Sequence, residues 1–183
     1  MNDLKEIYLS VDIETSGPNP GNYALLSIGA CTITEPGETF YIELKPDADG
    51  FLPESLAISG LSLEILRGAG ILPKDAMLKF SQWITHIVPE GSQPVFTAFN
   101  APFDWMFVND YFHRYLGYNP FGHKALDIKA LYMGLQKTNW FKTSYNIITK
   151  NTGQETALSH NALEDAIQQA KIFKTLLEEI RGN

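Results

Sequence analysis

The sequence predicts an α/β protein: a mixed sheet with helices packed on its faces. Three observations lead there. The chain opens with an alternating apolar segment, two further strand-like segments follow it after short turns, and beyond that point helical and strand-like patterns take turns. In the first strand Ile7, Leu9, Val11 and Ile13 point one way and Tyr8, Ser10, Asp12 and Glu14 the other. Side chains two apart on a strand share a face, so Asp12 and Glu14 stand side by side. Thr15 to Gly21 is turn chemistry, rich in Gly, Pro and Asn. Leu25 to Thr34 and Thr39 to Leu44 read as the next two strands, joined by Glu35-Pro36-Gly37-Glu38, and such short connections predict an antiparallel meander.

Between Lys45 and Pro73 the pattern is irregular, with short helical pieces at Pro53 to Ile58 and Leu63 to Leu66. Met77, Phe80, Ile84, Ile87 and Val88 then keep helical spacing up to Pro89. Pro94 to Phe99 reads as a buried strand, and Pro102 falls where the first turn of a helix tolerates proline. Asp104 is thereby placed at a strand-to-helix junction. A helix to about Leu116, a short strand from Ala125 to Ile128, more helix, and a last helix from Asn161 to Ile180 complete the order. In sheets of this kind sites form at strand ends and helix starts.

Length and composition bound the answer. A chain of 183 residues that is 44% hydrophobic is expected to fold as one domain over residues 1–183, and it shows no repeat or linker. The single cysteine, Cys31, excludes an intrachain disulfide and reads as a small buried apolar residue. The opening Met-Asn-Asp-Leu-Lys-Glu lacks the basic start and apolar run of a signal peptide, and no stretch of about 18 apolar residues is present, so a cytoplasmic protein without membrane association is expected. The net charge of −7 argues against a protein that coats long duplexes, whose affinity comes from neutralising many phosphates. It leaves room for an enzyme that grips only a strand end.

Asp12, Glu14, Asp104 and Asp165 come from three distant segments, with His160 five residues before Asp165. Gathered in one cleft, these acids would repel one another unless divalent cations neutralised them. The set therefore predicts a metal-dependent phosphodiester hydrolase. Five steps of about 100° put His160 and Asp165 on different helix faces. The reading places His160 at or just before the first turn, with Ser159 as cap and Asp165 in the second turn. The aspartate then binds metal while the histidine, a side chain with an ordinary pKa near 6.5, leans in from the rim as a base.

Asp12-x-Glu14, Asn100-x-x-Phe103-Asp104 and His160-x-x-x-x-Asp165 together resemble, in order, the three motifs of the DEDD 3′-5′ exonuclease superfamily. The histidine marks the DEDDh branch, which includes proofreading exonucleases and ribonuclease T-like enzymes; the tyrosine branch would carry Tyr at the position of Asn161. Pro53 to Leu61 also resembles the family's segment ahead of the second motif, so the likeness runs from about Ile7 to Leu177. It implies a ribonuclease H-like fold with a mixed five-stranded sheet, and stepwise 3′-to-5′ release of nucleoside 5′-monophosphates from a single-stranded 3′ end of RNA or DNA. Two ions, Mg²⁺ or Mn²⁺, about 3.5 to 4 Å apart suit such an in-line displacement. By the same resemblance Asp12 bridges them, Glu14 and Asp165 complete the first, Asp104 supports the second and His160 is general base. Ile13, Thr15 and Phe103 would hold the terminal nucleotide. Phe103 suits core packing and base stacking equally. The chain departs from the family at Phe99 and Ser59, where relatives often have His, and at Pro18, where they often have Leu.

Two other classes compete. A polymerase-associated proofreading subunit would need a tail for its partner to grasp, and the sequence stops at Asn183 after the last helix; a catalytically silent nucleic-acid-binding module would have lost one of the five residues. RNA against DNA, the choice of ion and the oligomeric state, a homodimer included, stay open. Lys137 to Lys142 and Lys150 interleave basic and aromatic residues in a way that suits a nucleic-acid backbone, but a loop pinned by buried aromatics is the preferred reading. Asp127 reads as a structural hydrogen bonder, His86, His113 and His123 as packing or surface residues, and Trp83, Trp105, Tyr111, Phe112 and Tyr115 as core.

Overall fold

The alternation at the start of the chain becomes the central strand of the sheet. In the computed structural model, which describes residues 5–34, 37–154 and 157–182, β1 (Lys5–Thr15), β2 (Leu25–Thr32) and β3 (Thr39–Glu43) form the antiparallel meander. After α1 (Pro53–Ser59), α2 (Leu63–Ala69) and α3 (Pro73–Ile87), the strand β4 (Ser92–Ala98) returns parallel to β1. Next come α4 (Ala101–Leu116), β5 (Ala125–Asp127), α5 (Ile128–Leu135), a 3-10 turn at Trp140–Lys142, α6 (Tyr145–Thr152) and α7 (Ala162–Arg181). The sheet is five-stranded and mixed, in the order β3-β2-β1-β4-β5. Among the described residues no helix is long and apolar enough to cross a membrane.

The two faces of β1 divide the molecule. Leu9, Val11 and Ile13 are buried under α3 and α4, against Met77, Phe80, Phe107, Val108 and Phe112. On the opposite face Tyr8 packs with Ile172, Phe173 and Leu176 of α7, beside Ile128 of α5 and Ile148 of α6. Asp12 and Glu14 have the same parity as Tyr8 and so emerge beside α7. Close approach of that helix depends on Gly29, the partner of Asp12 on β2: a Cβ there would lie 2.1 Å from the Ala162 carbonyl carbon and 2.2 Å from the Leu163 nitrogen. Tyr111 hydrogen-bonds Asp47 and accepts from the Leu25 amide at 2.8 Å, while Tyr115 and Arg114 also reach Asp47, so this aromatic group is structural as expected.

Most boundaries differ from the sequence reading by one to three residues, and two of the differences have a visible local cause. The second strand stops at Thr32 rather than Thr34, because Thr32 closes the hairpin: its amide donates to the Glu38 carbonyl and its Oγ1 accepts from the Glu38 amide, each at 3.0 Å. Glu35 and Pro36 of the expected turn lie outside the described residues. The last helix begins at Ala162 with Asn161, not Ser159, as its cap, and Asn161 Oδ1 accepts from the Leu163 and Glu164 amides. Ser159 is already committed, its hydroxyl to Asp165 and to the Asn161 amide.

Candidate active site

Three elements end at one cavity of about 220 Å³, lined by all five motif residues together with Ile13, Phe99, Asn100, Phe103, Tyr145, Leu158 and Gln169. Asp12 and Glu14 arrive on β1 just before its register shifts between Glu14 and Thr15. Asp104 is buried in the first turn of α4. The chain enters that helix through Asn100, held at φ +65°, a left-handed conformation that asparagine tolerates better than most residues. Asp127 fixes the same junction: one oxygen accepts from the Ala101 amide and the other from the Ala130 amide, each at 2.6 Å, so a single carboxylate caps α5 and anchors α4. It is the structural hydrogen bonder that the sequence reading expected.

Asp165 lies in the first turn of α7 rather than the second. Its Oδ1 accepts from the amide and hydroxyl of Ser159, at 2.8 and 3.1 Å, and its Oδ2 accepts from the His160 amide at 2.9 Å. The aspartate thus organises the segment that carries the histidine. His160 has φ +58° and is exposed, leaning over the rim. One ligand atom each from Glu14, His160 and Asp165 lies within 4.8 Å of the others, close enough to share a cation.

The electrostatics follow from crowding these acids together. Burial pushes the Asp12 carboxyl well above the ordinary carboxylate range, and the nearby charges of Asp104, Glu14 and Asp165 push it further, against a hydrogen bond from Gln169. Burial and then Asp165 raise Glu14 to about 7. Asp104 is raised chiefly by burial, with backbone hydrogen bonds at its own residue and Ile13 acting the other way. Three crowded carboxylates, Asp104 buried and Asp12 and Glu14 half-buried, have the donor chemistry of a hard divalent-ion site.

Among the residues expected to touch substrate, Phe103 lines the cavity half-buried, packed on Phe107 with ring centroids 5.6 Å apart. The Ile13 side chain is in the core. Thr15 is buried, with Oγ1 donating to the Gly17 carbonyl at 2.9 Å, and it is not among the residues lining the cavity. Sequence reasoning passed over Gln169, whose Nε2 donates to Asp12 and whose Oε1 accepts from the Phe99 amide at 2.8 Å. Its spacing was the available signal, since a residue four beyond Asp165 on a helix shares its face.

The chain has relatives of known activity. A family model described as the 3′-5′ exoribonuclease Rv2179c-like domain matches residues 7–177. The 3′-5′ DNA exonuclease Cap18 of Escherichia coli is 49% identical over 172 residues, covering 94% of this chain and 92% of the relative. Among solved structures, the nuclease domain of 3′hExo, a DEDDh family member bound to rAMP, superposes with a TM-score of 0.81 at 16% identity, covering 98% of this chain and 95% of that one. Pop2p of S. pombe, in a form with Mg²⁺ and Mn²⁺ bound, does so at 0.69 and 18% identity, covering 95% and 83%. The fold is that of the ribonuclease H-like DEDDh exonucleases, as the three motifs implied. With a matching family model over nearly its whole length and a close relative of that activity, the chain belongs to the 3′-5′ exoribonuclease Rv2179c-like domain family and is a 3′-5′ exonuclease.

Proposed function

We propose that the chain, as one domain over residues 1–183, hydrolyses single strands from the 3′ end with a pair of divalent cations, Mg²⁺ or Mn²⁺, held by Asp12, Glu14, Asp104 and Asp165. The observation that carries this reading is that Asp12, Glu14, Asp104, Asp165 and His160 line one cavity, where burial and the other three acids together raise the half-buried Asp12 carboxyl. When bound, such ions supply charge neutralisation at the scissile phosphate and acidify the attacking water. The chain's own part is then positional. His160 accepts the proton of the water as its oxygen attacks phosphorus, the bond from phosphorus to the 3′ oxygen breaks, and that oxygen takes up a proton as the shortened strand leaves. Phe103 offers an aromatic face to the terminal base, and Ile13 and Thr15 shape the site through the backbone of β1 and its turn.

The product is a nucleoside 5′-monophosphate. We take DNA as the better substrate, because Cap18 is named a DNA exonuclease, although the family description is of an exoribonuclease. The setting we infer is the cytoplasm. A homodimer is compatible with this reading and is tested by sedimentation; neither a polymerase partner nor a silent binding role is needed to explain five motif residues lining one cavity. The decisive assay follows 5′-labelled DNA and RNA strands with Mg²⁺, Mn²⁺ or EDTA. Ladders that need a divalent ion, are faster on DNA and vanish in Asp12→Ala are the expected result. Undiminished cleavage in EDTA or by Asp12→Ala would overturn the assignment.

A further inference from the structure

The segment that sequence reasoning assigned to a loop pinned by buried aromatics is built the other way round. Its anchor is Thr143, fully buried, with Oγ1 donating to the Trp140 carbonyl at 2.7 Å. The aromatic residues face outward: Trp140 is 48% exposed and Phe141 is 90% exposed. Two large aromatic side chains exposed side by side on an anchored turn offer a contact surface.

That surface continues from the cavity. Phe99, at the cavity rim where relatives often have His, meets Tyr145 edge-on with ring centroids 5.3 Å apart. Lys129 of α5 spans the next gap, with Nζ 6.0 Å from the Phe99 ring centroid, 4.2 Å from that of Trp140 and 3.4 Å from Asn100 Oδ1. Lys142 stands exposed beside Phe141. Aromatic faces and cations therefore alternate outward from the cavity in a protein whose net charge is −7. Aromatic rings stack on any base, and ammonium groups donate to its phosphate.

We propose that Trp140, Phe141, Lys129 and Lys142 form an outer track for the single strand behind its 3′ terminus, holding the nucleotides that have not yet reached the cavity. The proposal rests on the exonuclease reading of that cavity and adds to it a source of length preference without sequence preference. No covalent step is involved.

The test uses 5′-labelled oligothymidylates and oligouridylates of about two to ten nucleotides with the full-length protein and its required ion. In the unaltered protein KM is expected to fall as the strand lengthens. Trp140→Ala/Phe141→Ala should raise KM on the longest strands by roughly tenfold or more, with the loss shrinking as strands shorten and kcat moving less than KM. Trp140→Phe/Phe141→Tyr, which keeps both rings, should restore the length dependence, and Lys142→Gln should flatten the dependence of KM on salt. Folding of each variant is checked by thermal melting. If the unaltered protein shows ladders but the double alanine variant behaves identically at every length, or loses activity evenly across lengths, the track is overturned while the exonuclease reading stands. If Phe141→Ala instead converts a dimer to a monomer in sedimentation, the surface belongs to self-association and the proposal fails. A protein that cuts no strand under any condition would overturn the exonuclease reading, and the track with it.

Discussion

His160 reaches the cavity from a left-handed backbone position, and its amide is tied to the Asp165 carboxylate, so base and ligand are set by one local arrangement. Replacing His160 with Ala should lower kcat by roughly 10² to 10⁴ fold while leaving metal binding, which rests on the four acids, largely intact, because a positioned base has that worth. Single-turnover assays paired with calorimetric Mn²⁺ titration check both halves. Gln169 works through Asp12 rather than on substrate: Gln169→Leu frees the Asp12 carboxylate and strands the Phe99 amide. It should cost about 1 to 3 kcal/mol of stability, read by urea denaturation, and lower kcat more than it raises KM. The acids and the histidine were legible because their types and spacings are tied to chemistry. Gln169 was not, since a glutamine on a helix has the look of a solvated residue until its neighbour on the sheet beneath it is known. Ser159 and Asn161 are both capping types, and only the prior engagement of the Ser159 hydroxyl decides between them.

At the scale of elements, the site depends on how closely the first turn of α7 lies on β2. Gly29 makes that approach possible, and the atoms a Cβ would meet are backbone, which cannot swing aside. Gly29→Ala should destabilise the fold by about 1 to 3 kcal/mol through overpacking. Because it shifts Asp165 relative to Asp12, it should also lower kcat on the order of 10² fold in protein that circular dichroism shows to be folded. Normal activity would mean that α7 tolerates displacement. The alternation in β1, the meander and the strand-to-helix junction at Asp104 could all be read in advance, because periodicity and proline placement are local signals. The outward turn at Trp140–Lys142 could not, since the pattern of aromatic residues is the same whether the rings pack inward or the backbone does the anchoring.

For the whole molecule, the acidic centre opposes folding when no cation is bound. Glu14 rises from an ordinary 4.5 to about 7 in the folded protein, chiefly through burial, and Asp12 and Asp104 move the same way. The folded state therefore holds protons that the unfolded chain releases first, so this contribution to stability is fully present below about 4.5 and is lost as pH climbs through about 7. In EDTA the melting temperature is expected to fall between pH 5.5 and 8, and saturating Mg²⁺ should raise it most at the alkaline end. A metal-free melting point that climbs over this window would contradict the clustering of the acids. Asp127 adds a mechanical corollary. Since its two oxygens clasp the opening amides of α4 and α5, the helix bearing Asp104 and the helix bearing Lys129 share one tether, and neither can slide at that end without giving up a bond to the same carboxylate.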